Sequence, residues 1–233
     1  MRVVSIFHFL IVVALAGTLS PGKDHHVAHE NRIANDTVPA KARPLKKFVP
    51  DDYPVTNEMF EGNYNSISSG KIISSDKAWF RSDTLNETLV FELYTDYHRL
   101  VIFHFKNDDI PFGLINRMEL QSGCDLSNAA AKKNAFPGFI KQAHVINRKY
   151  FTSNKGFRLG ESLGKVIKVY GKPDKFSTEN GIWKYEWDYI GDSFYDDKKD
   201  KGKKIAQFSF GHQAILFFRN KKLVGLILHN DIP

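Results

Sequence analysis

The sequence contains a single cysteine, Cys124, so its fold cannot be held together by internal disulfide bonds. Stability has to come from a hydrophobic core, and 233 residues are enough for one large domain or two small ones. Methionine is scarce, with 3 residues, whereas phenylalanine is abundant, with 19. This composition is typical of a folded, strand-rich protein. We expect Cys124 to be a small buried apolar side chain rather than a nucleophile or an intermolecular link.

The sequence has one long apolar run, at its N-terminus, where it reads MRVVSIFHFLIVVALAG. The basic residue Arg2 precedes the run, and Ala14-Leu15-Ala16 supplies the small residues of a signal-peptide cleavage site. The run is shorter than the roughly 20 residues that a membrane-spanning helix needs. We therefore predict cleavage between Ala16 and Gly17, export as a periplasmic or secreted protein, and no transmembrane span after cleavage. An uncleaved anchor is the alternative.

The sequence has little excess charge outside its N-terminal region. Residues 51–233 carry 26 Lys and Arg against 23 Asp and Glu, a net charge of +3. Proteins dedicated to nucleic acids usually carry a basic stripe with a clear excess of positive charge. We therefore expect no nucleic-acid partner.

Residues 17–50 lack a periodic apolar pattern and contain several prolines among polar side chains. Such a segment cannot bury enough apolar surface to fold, so we expect a flexible tether. Three of its histidines, His25, His26 and His29, could bind a metal weakly, but their spacing is not that of a metal-binding helix. A polar tail that contains histidines is the preferred interpretation, and no metal site is predicted.

Two strands are predicted in ETLVFELYTDYHRLVIFHFKNDDIP, residues 87–111, with a turn near Thr95–Tyr97. Both faces of the second strand are largely apolar, which indicates a central or covered strand. His104 lies in this strand. We expect it to be a satisfied, semi-buried histidine rather than a catalytic base.

The stretch after these strands is less regular. Residues 112–123 could continue the sheet. Residues 127–146 are rich in alanine and lysine, which favour a helix, and we expect Pro137-Gly138 to break that helix.

The C-terminal third contains the strictly alternating segment GIWKYEWDYI. Four aromatic side chains share one face of the predicted strand, and charged side chains share the other. The aromatic residues are Trp183, Tyr185, Trp187 and Tyr189. A polar loop, GDSFYDDKKDKGKK, follows this strand. Residues 214–218 and 223–229 then predict a hairpin with the turn RNKK between its strands.

The segment KGFRLGESLGKVIKVYGKPDKF, residues 155–176, contains four glycines and raises the question of a phosphate-binding loop. GESLGKV has one residue too few between its glycines for such a loop, and Val166 stands where a metal-binding hydroxyl is needed. A helix fits better, with Ser162 as its N-cap and Gly171 at its C-terminal end. We expect its apolar stripe to pack on the aromatic face of the strand over residues 183–189. This stripe comprises Leu163, Val166, Ile167 and Tyr170.

Two segments of the chain echo each other. LVIFHFKNDDIP, residues 100–111, and LVGLILHNDIP, residues 223–233, both run from an apolar strand into a similar polar end. A duplicated sheet module and a chance match of strand-end chemistry are both consistent with so short a match.

The predicted helix and the strands after it resemble a known envelope module. The pattern F-x-x-G-x-S-x-x-x-V-x-x-x-Y-G-x-P over residues 157–173, followed by a meander of strands, is similar to a module of exported proteins. That module is found in small lipoproteins of the bacterial outer-membrane barrel-assembly machinery and in the β-lactamase inhibitor protein. The resemblance covers about residues 151–233. It implies a short helical part packed on an antiparallel sheet, and a protein-binding rather than a catalytic role.

We therefore predict an α+β fold, with short helices packed on one face of an antiparallel sheet. Two tandem sheet modules are one arrangement that the pattern allows. The predicted parts are a signal peptide at 1–16, a tether at 17–50, a β-rich module at 51–150 and a helix-plus-sheet module at 151–233.

Two functions from different classes fit these observations. The first is an exported non-enzymatic protein-binding or envelope scaffold protein, whose partner would be another envelope or extracellular protein. The candidate partner-binding residues are Trp183, Tyr185, Trp187 and Tyr189, and the alternative is that they form the core under the helix.

The second function is an exported hydrolase or carbohydrate-active enzyme that uses carboxylate pairs as acid and base. The candidate pairs are Asp108/Asp109 and Asp196/Asp197, and both lie in predicted loops. The sequence contains no nucleophile elbow, metal-ligand spacing or cofactor loop. No catalytic residue, cofactor or metal is therefore predicted.

Overall fold

The computed structural model describes residues 48–54, 79–94, 99–120 and 128–231. Outside these ranges lie the predicted signal peptide, most of the predicted tether with its three histidines, the lone cysteine and the turn predicted between the first two strands. Predictions for those residues stay predictions.

The described residues form nine strands and three α-helices. The strands are β1 (Trp79–Ser82), β2 (Glu87–Tyr94), β3 (Arg99–Lys106), β4 (His144–Val145), β5 (Lys175–Glu179), β6 (Ile182–Gly191), β7 (Ile205–Ala206), β8 (Gly211–Arg219) and β9 (Lys222–Asp231). The helices are α1 (Phe112–Ile115), α2 (Ala129–Gln142) and α3 (Leu163–Tyr170), together with a 3-10 helix over Arg148–Phe151.

These strands form one sheet with the order β4-β1-β2-β3-β9-β8-β6-β5, and β7 pairs with β6 outside this row. Neighbouring strands are antiparallel, except that the short strands β4 and β7 run parallel to β1 and β6. The predicted α+β fold with an antiparallel sheet and short helices is confirmed. β3 of the first predicted module pairs with β9 of the second, so strands of the two predicted modules belong to one sheet.

The sheet is covered on both faces because its central strands are apolar on both faces. In β3, Ile102 belongs to one core cluster and Phe103 to the other. On the first face α3 contributes Val166, and on the second face α2 contributes Phe136. The helices therefore lie on both faces, not on one face as predicted, since each apolar face has to be shielded from water.

Residues 112–146 differ from their predicted structure in two places. α1 replaces a continuation of the sheet, and its backbone N–H groups donate to the carbonyl oxygen of Pro111. α2 runs through Pro137 without a break. Phe136 before this proline and Ile140 after it both pack in the core of the second face. These contacts offset the hydrogen bond that proline cannot donate.

α3 forms where it was predicted. The hydroxyl of Ser162 accepts a hydrogen bond from the backbone N–H of Lys165 at 3.3 Å, and Gly171 has a φ of 76° at the other end. Val166 is fully buried, whereas Ile167, predicted in the same apolar stripe, is 37 % exposed. The helix therefore contacts the sheet along a narrower stripe than its sequence indicated.

The predicted C-terminal hairpin is also confirmed as β8 and β9. The two echoing segments differ in structure at their polar ends. Asn107 and Asp108 lie in the turn after β3, whereas Asn230 and Asp231 are the last residues of β9. A duplicated sheet module and a chance match are both still consistent with the echo.

Candidate protein-binding surface

The four aromatic residues predicted to bind a partner lie on β6, and two of them are buried. Trp187 and Tyr189 belong to the core of the first face. The indole N–H of Trp187 donates to the carbonyl oxygen of Gly171 at 3.0 Å, and the hydroxyl of Tyr189 donates to the backbone carbonyl oxygen of Tyr170 at 3.0 Å. These two hydrogen bonds hold the C-terminal end of α3 on the sheet. Trp187 and Tyr189 therefore form the core under the helix and present no surface to a partner.

The other two aromatic residues, Trp183 and Tyr185, are half-buried near the outer edge of the sheet. The ring of Tyr185 lies 4.8 Å, centroid to centroid, from the ring of Phe176 on the neighbouring strand. Phe176 is 55 % exposed. Of the four predicted residues, Trp183 and Tyr185 are thus the two that a partner can reach, and Phe176 adds a third ring beside them.

β5 lies at the end of the strand order, and all five of its residues are exposed. In the ranges that the structure describes, it pairs with β6 alone. A two-residue turn joins these strands, so the flanking pair Glu179 and Ile182 exchanges backbone hydrogen bonds. Alternation along β5 then directs the backbone N–H and C=O groups of Phe176 and Thr178 away from β6. We call this outward side of Lys175–Glu179 the β5 edge.

A cleft of about 440 Å³ lies beside the β5 edge, on the second face of the sheet. The β5–β6 hairpin forms one wall, and α1 and α2 contribute to the other. Ser177 and Glu179 line the cleft, so it is continuous with the β5 edge. Its apolar lining comprises Ile110, Phe112, Phe136, Ile140, Ile182 and Phe217.

The cleft contains one of the two carboxylate pairs that a hydrolase would use. Asp108 and Asp109 both line it. Asp109 accepts two hydrogen bonds from the guanidinium of Arg219, at 2.9 and 3.0 Å, so this carboxylate is engaged in a bidentate ion pair. Asp196 and Asp197 lie in the loop between β6 and β7 and do not line the cleft. The structure therefore brings only the first pair to the cleft.

His104 is the centre of a buried polar group on the first face. Its Nε2 lies 2.9 Å from Oε2 of Glu87, and its Nδ1 lies 2.7 Å from the hydroxyl of Tyr53. Burial alone would raise the pKa of Glu87, but hydrogen bonds from His104 and Lys106 outweigh it and lower that pKa. The carboxylate is thus charged and accepts from Nε2, while Nδ1 faces the tyrosine hydroxyl. His104 is 0 % exposed, so the prediction of a satisfied histidine is confirmed, with complete rather than partial burial.

Residues 48–54 are anchored on the same face. The ring of Phe48 lies 4.4 Å, centroid to centroid, from the ring of Tyr189. The carboxylate of Asp51 accepts a hydrogen bond from the hydroxyl of Tyr170 at 3.1 Å. Burial raises the pKa of Asp51, and the hydrogen bonds that it accepts only partly offset this rise. The packed part of the chain therefore includes Phe48, within the range that the sequence predicted as a tether.

The β5 edge was not predicted from the sequence, because the predicted helix ended at Gly171 and residues 174–180, before the next predicted strand, received no assignment. A signal was present, since KFSTE has the strand-favouring residues Phe176 and Thr178 at alternate positions and is followed by Asn180-Gly181, a strong hairpin turn. Asn180 and Gly181 have φ values of 50° and 75°. Phe48 carried no comparable signal, because its partners lie far away in the sequence.

The chain was compared with protein-family models, with curated proteins and with solved structures. None of the three comparisons gives a match. The resemblance to the envelope module therefore stays a prediction from the sequence. In the described ranges, no helix is long and apolar enough to cross a membrane, and no group of three or more potential metal ligands forms a site.

Proposed function

We propose that this chain is an exported, non-enzymatic protein-binding or envelope scaffold protein that docks its partner on the β5 edge. The observation that carries the proposal is the strand β5, which ends the strand order and is exposed at all five positions. Export rests on the N-terminal apolar run and the small residues that follow it.

An extended segment of the partner would add to the β5 edge as a further strand. Unpaired backbone groups at a sheet edge are a template for this kind of pairing. The groups of Phe176 and Thr178 would supply the main-chain hydrogen bonds. On the first face, the exposed ring of Phe176 and the half-buried ring of Tyr185 would supply apolar contacts.

The cleft would supply specificity. Side chains of an added strand alternate between the two faces of the sheet, so every second one would point toward the second face. On that face, the side chains of the added strand would lie beside Ser177 and Glu179 and reach the apolar lining of the cleft. An apolar core with a polar rim is the usual composition of a protein interface.

The test is photo-crosslinking in cells of the native host. A photoreactive phenylalanine analogue replaces Phe176 in one variant and Phe208 in a second. Phe208 is the matched control, since it is 84 % exposed and lies in the loop before β8, away from the β5 edge. We expect a crosslinked protein product from position 176 that is absent from position 208.

A third variant combines the analogue at position 176 with Thr178→Pro. This proline removes an outward N–H group but no hydrogen bond to β6, so the hairpin is retained while strand addition is lost. We expect the crosslinked product to fall at least severalfold. Equal crosslinking from positions 176 and 208, or a product that Thr178→Pro leaves unchanged, would contradict docking on the β5 edge.

A further inference from the structure

We infer that the strand added to the β5 edge is β5 of a second copy of this chain, which makes a two-fold symmetric dimer with one continuous sheet. This inference rests on the proposed function, because it names the partner of the same edge. It is carried by the self-complementarity of the sequence KFSTE in the register that the outward backbone groups require.

The backbone fixes where two copies of β5 can meet. Outward N–H and C=O groups belong to Phe176 and Thr178, two residues apart on one strand. In an antiparallel pair centred on Ser177, Phe176 of each copy lies opposite Thr178 of the other, and each such pair exchanges two hydrogen bonds. All the outward groups of these residues are then satisfied, and the two-fold axis passes between the two Ser177 residues.

The charges of β5 favour the same register. With Ser177 at the centre, Lys175 of each copy lies directly opposite Glu179 of the other. Pairs of opposite charge in this position stabilise a sheet, whereas like charges destabilise it. A register centred on Phe176 or on Thr178 would place Lys175 or Glu179 opposite the uncharged Ser177. The sequence is therefore complementary to itself at both ends of the strand.

The side chains on both faces of β5 are compatible with this dimer. Lys175 contacts Asp188 at 3.2 Å and Glu186 at 3.8 Å on the neighbouring strand β6, within its own copy, and its side chain is still 63 % exposed, which leaves room for a carboxylate of the second copy. The exposed ring of Phe176 would lie beside Thr178 of the partner, which covers apolar surface that water now contacts. The two clefts would lie on the same face, one on each side of the two-fold axis.

The test uses the chain purified in its exported form and two charge variants, measured by sedimentation velocity over a range of concentrations. Lys175→Glu gives a strand with an acid at both ends, and Glu179→Lys gives a strand with a base at both ends. Each variant would repel its own copy in the register centred on Ser177. We expect the wild type to dimerise with rising concentration and each variant alone to have a dissociation constant roughly tenfold or more higher.

An equimolar mixture of the two variants is the decisive sample. The acidic strand of one variant and the basic strand of the other are complementary, so we expect the mixture to form heterodimers about as well as the wild type forms homodimers. The double variant Lys175→Glu/Glu179→Lys should dimerise for the same reason. Circular dichroism of each variant verifies that the fold is retained.

The outcomes separate this inference from the proposed function. A wild-type chain that stays monomeric, or single variants that dimerise like the wild type, would overturn the self-pairing. If the product crosslinked from position 176 then contains another protein, docking on the β5 edge stands and only its partner is wrong. If it contains residues of β5 from a second copy, the self-pairing is supported. If position 176 yields no product, the proposed function fails together with the inference.

Discussion

Glu92 on β2 is a fully buried carboxyl group on a strand that is apolar at most other positions. It accepts hydrogen bonds from the hydroxyl of Tyr94 at 2.8 Å and from the backbone N–H of Glu119 at 3.1 Å. Burial is the dominant cause that raises its pKa from 4.5 to about 8. The folded protein therefore holds a proton on Glu92 at neutral pH that the unfolded chain has lost.

This proton makes stability depend on pH in a predictable direction. Between pH 4.5 and 8 the folded state binds one more proton at Glu92 than the unfolded state does, so the free energy of unfolding falls as pH rises. The slope approaches about 1.4 kcal/mol per pH unit. His212 and His229, whose pKa values burial lowers to about 4, give the opposite slope below pH 6.5. The histidine effect fades above pH 7, so urea denaturation between pH 7 and 8 reports mainly the effect of Glu92.

Glu92→Gln is the variant that checks this assignment, since its side-chain oxygen can still accept from Glu119. We expect its free energy of unfolding to vary less with pH than that of the wild type over this range. Parallel curves for the two proteins would show that Glu92 does not hold the proton.

Tyr53 is a second residue with a measurable role, which its hydroxyl group provides. Tyr53→Phe removes the partner of the fully buried Nδ1 of His104, and a buried polar atom without a partner costs about 1–3 kcal/mol. We expect a loss of stability of that size in thermal or urea denaturation. Tyr150→Phe on the 3-10 helix, where the side chain is half-buried, is the control and should change stability by less than about 0.5 kcal/mol. Equal losses for the two variants would contradict the role of this hydrogen bond.

α3 is the element whose packing can be tested most directly. Val166 is fully buried against the sheet, so Val166→Ala should destabilise the protein by about 1–3 kcal/mol through the cavity that it leaves. Ile167→Ala, one position further along the same helix, removes a larger side chain from an exposed position and should cost less. Urea denaturation of both variants provides the comparison. A greater loss from Ile167→Ala would mean that the helix packs through a different face.

The ends of α3 could be predicted because their signals are local. Ser162 and Gly171 act on backbone groups within one turn, so the sequence alone defines both ends. The same holds for the β8–β9 hairpin, where the turn and its strands are adjacent in the chain. α2 could not be predicted in full, because what carries it through Pro137 is the contact of Phe136 and Ile140 with the second core cluster. That contact depends on strands far away in the sequence.

The candidate site shows the same difference between local signals and long-range contacts. The alternation of residues 183–189 correctly indicated one aromatic face, but it could not show which of the aromatic residues α3 would cover. Trp187 and Tyr189 lie under the C-terminal end of the helix, and Trp183 and Tyr185 lie beyond it. The exposure of β5 depends in turn on the strand order of the whole sheet, which no local pattern contains.

At the scale of the whole molecule, the pairing of β3 with β9 joins the two predicted modules into one sheet. Seven residue pairs connect these strands, from Arg99 with Asp231 to Phe105 with Gly225. Each of the two core clusters contains residues of both β3 and β9, so the core on each face is continuous across this pair of strands. We therefore expect the two modules to unfold together rather than one after the other.

Two single-tryptophan variants measure this cooperativity, one that keeps Trp79 on β1 and one that keeps Trp187 on β6. Within each variant, the urea midpoint from tryptophan fluorescence should equal the midpoint from far-ultraviolet circular dichroism. Ile227→Val, in the centre of β9, should lower both midpoints together, with a cost of about 0.5–1.5 kcal/mol. Separate midpoints for the two tryptophans would show that the modules are independent domains.

The central position of β9 also has a consequence for folding kinetics. β9 is made after all the other described strands, yet it lies between β3 and β8. A nascent chain that still lacks β9 cannot close the sheet, and β3 then has no partner on one side. Because such long-range pairing has to offset the entropy of closing a long loop, the last step of folding is expected to be slow. Under the export that we propose, this delay would keep the polypeptide unfolded enough for a translocation channel until β9 emerges on the far side.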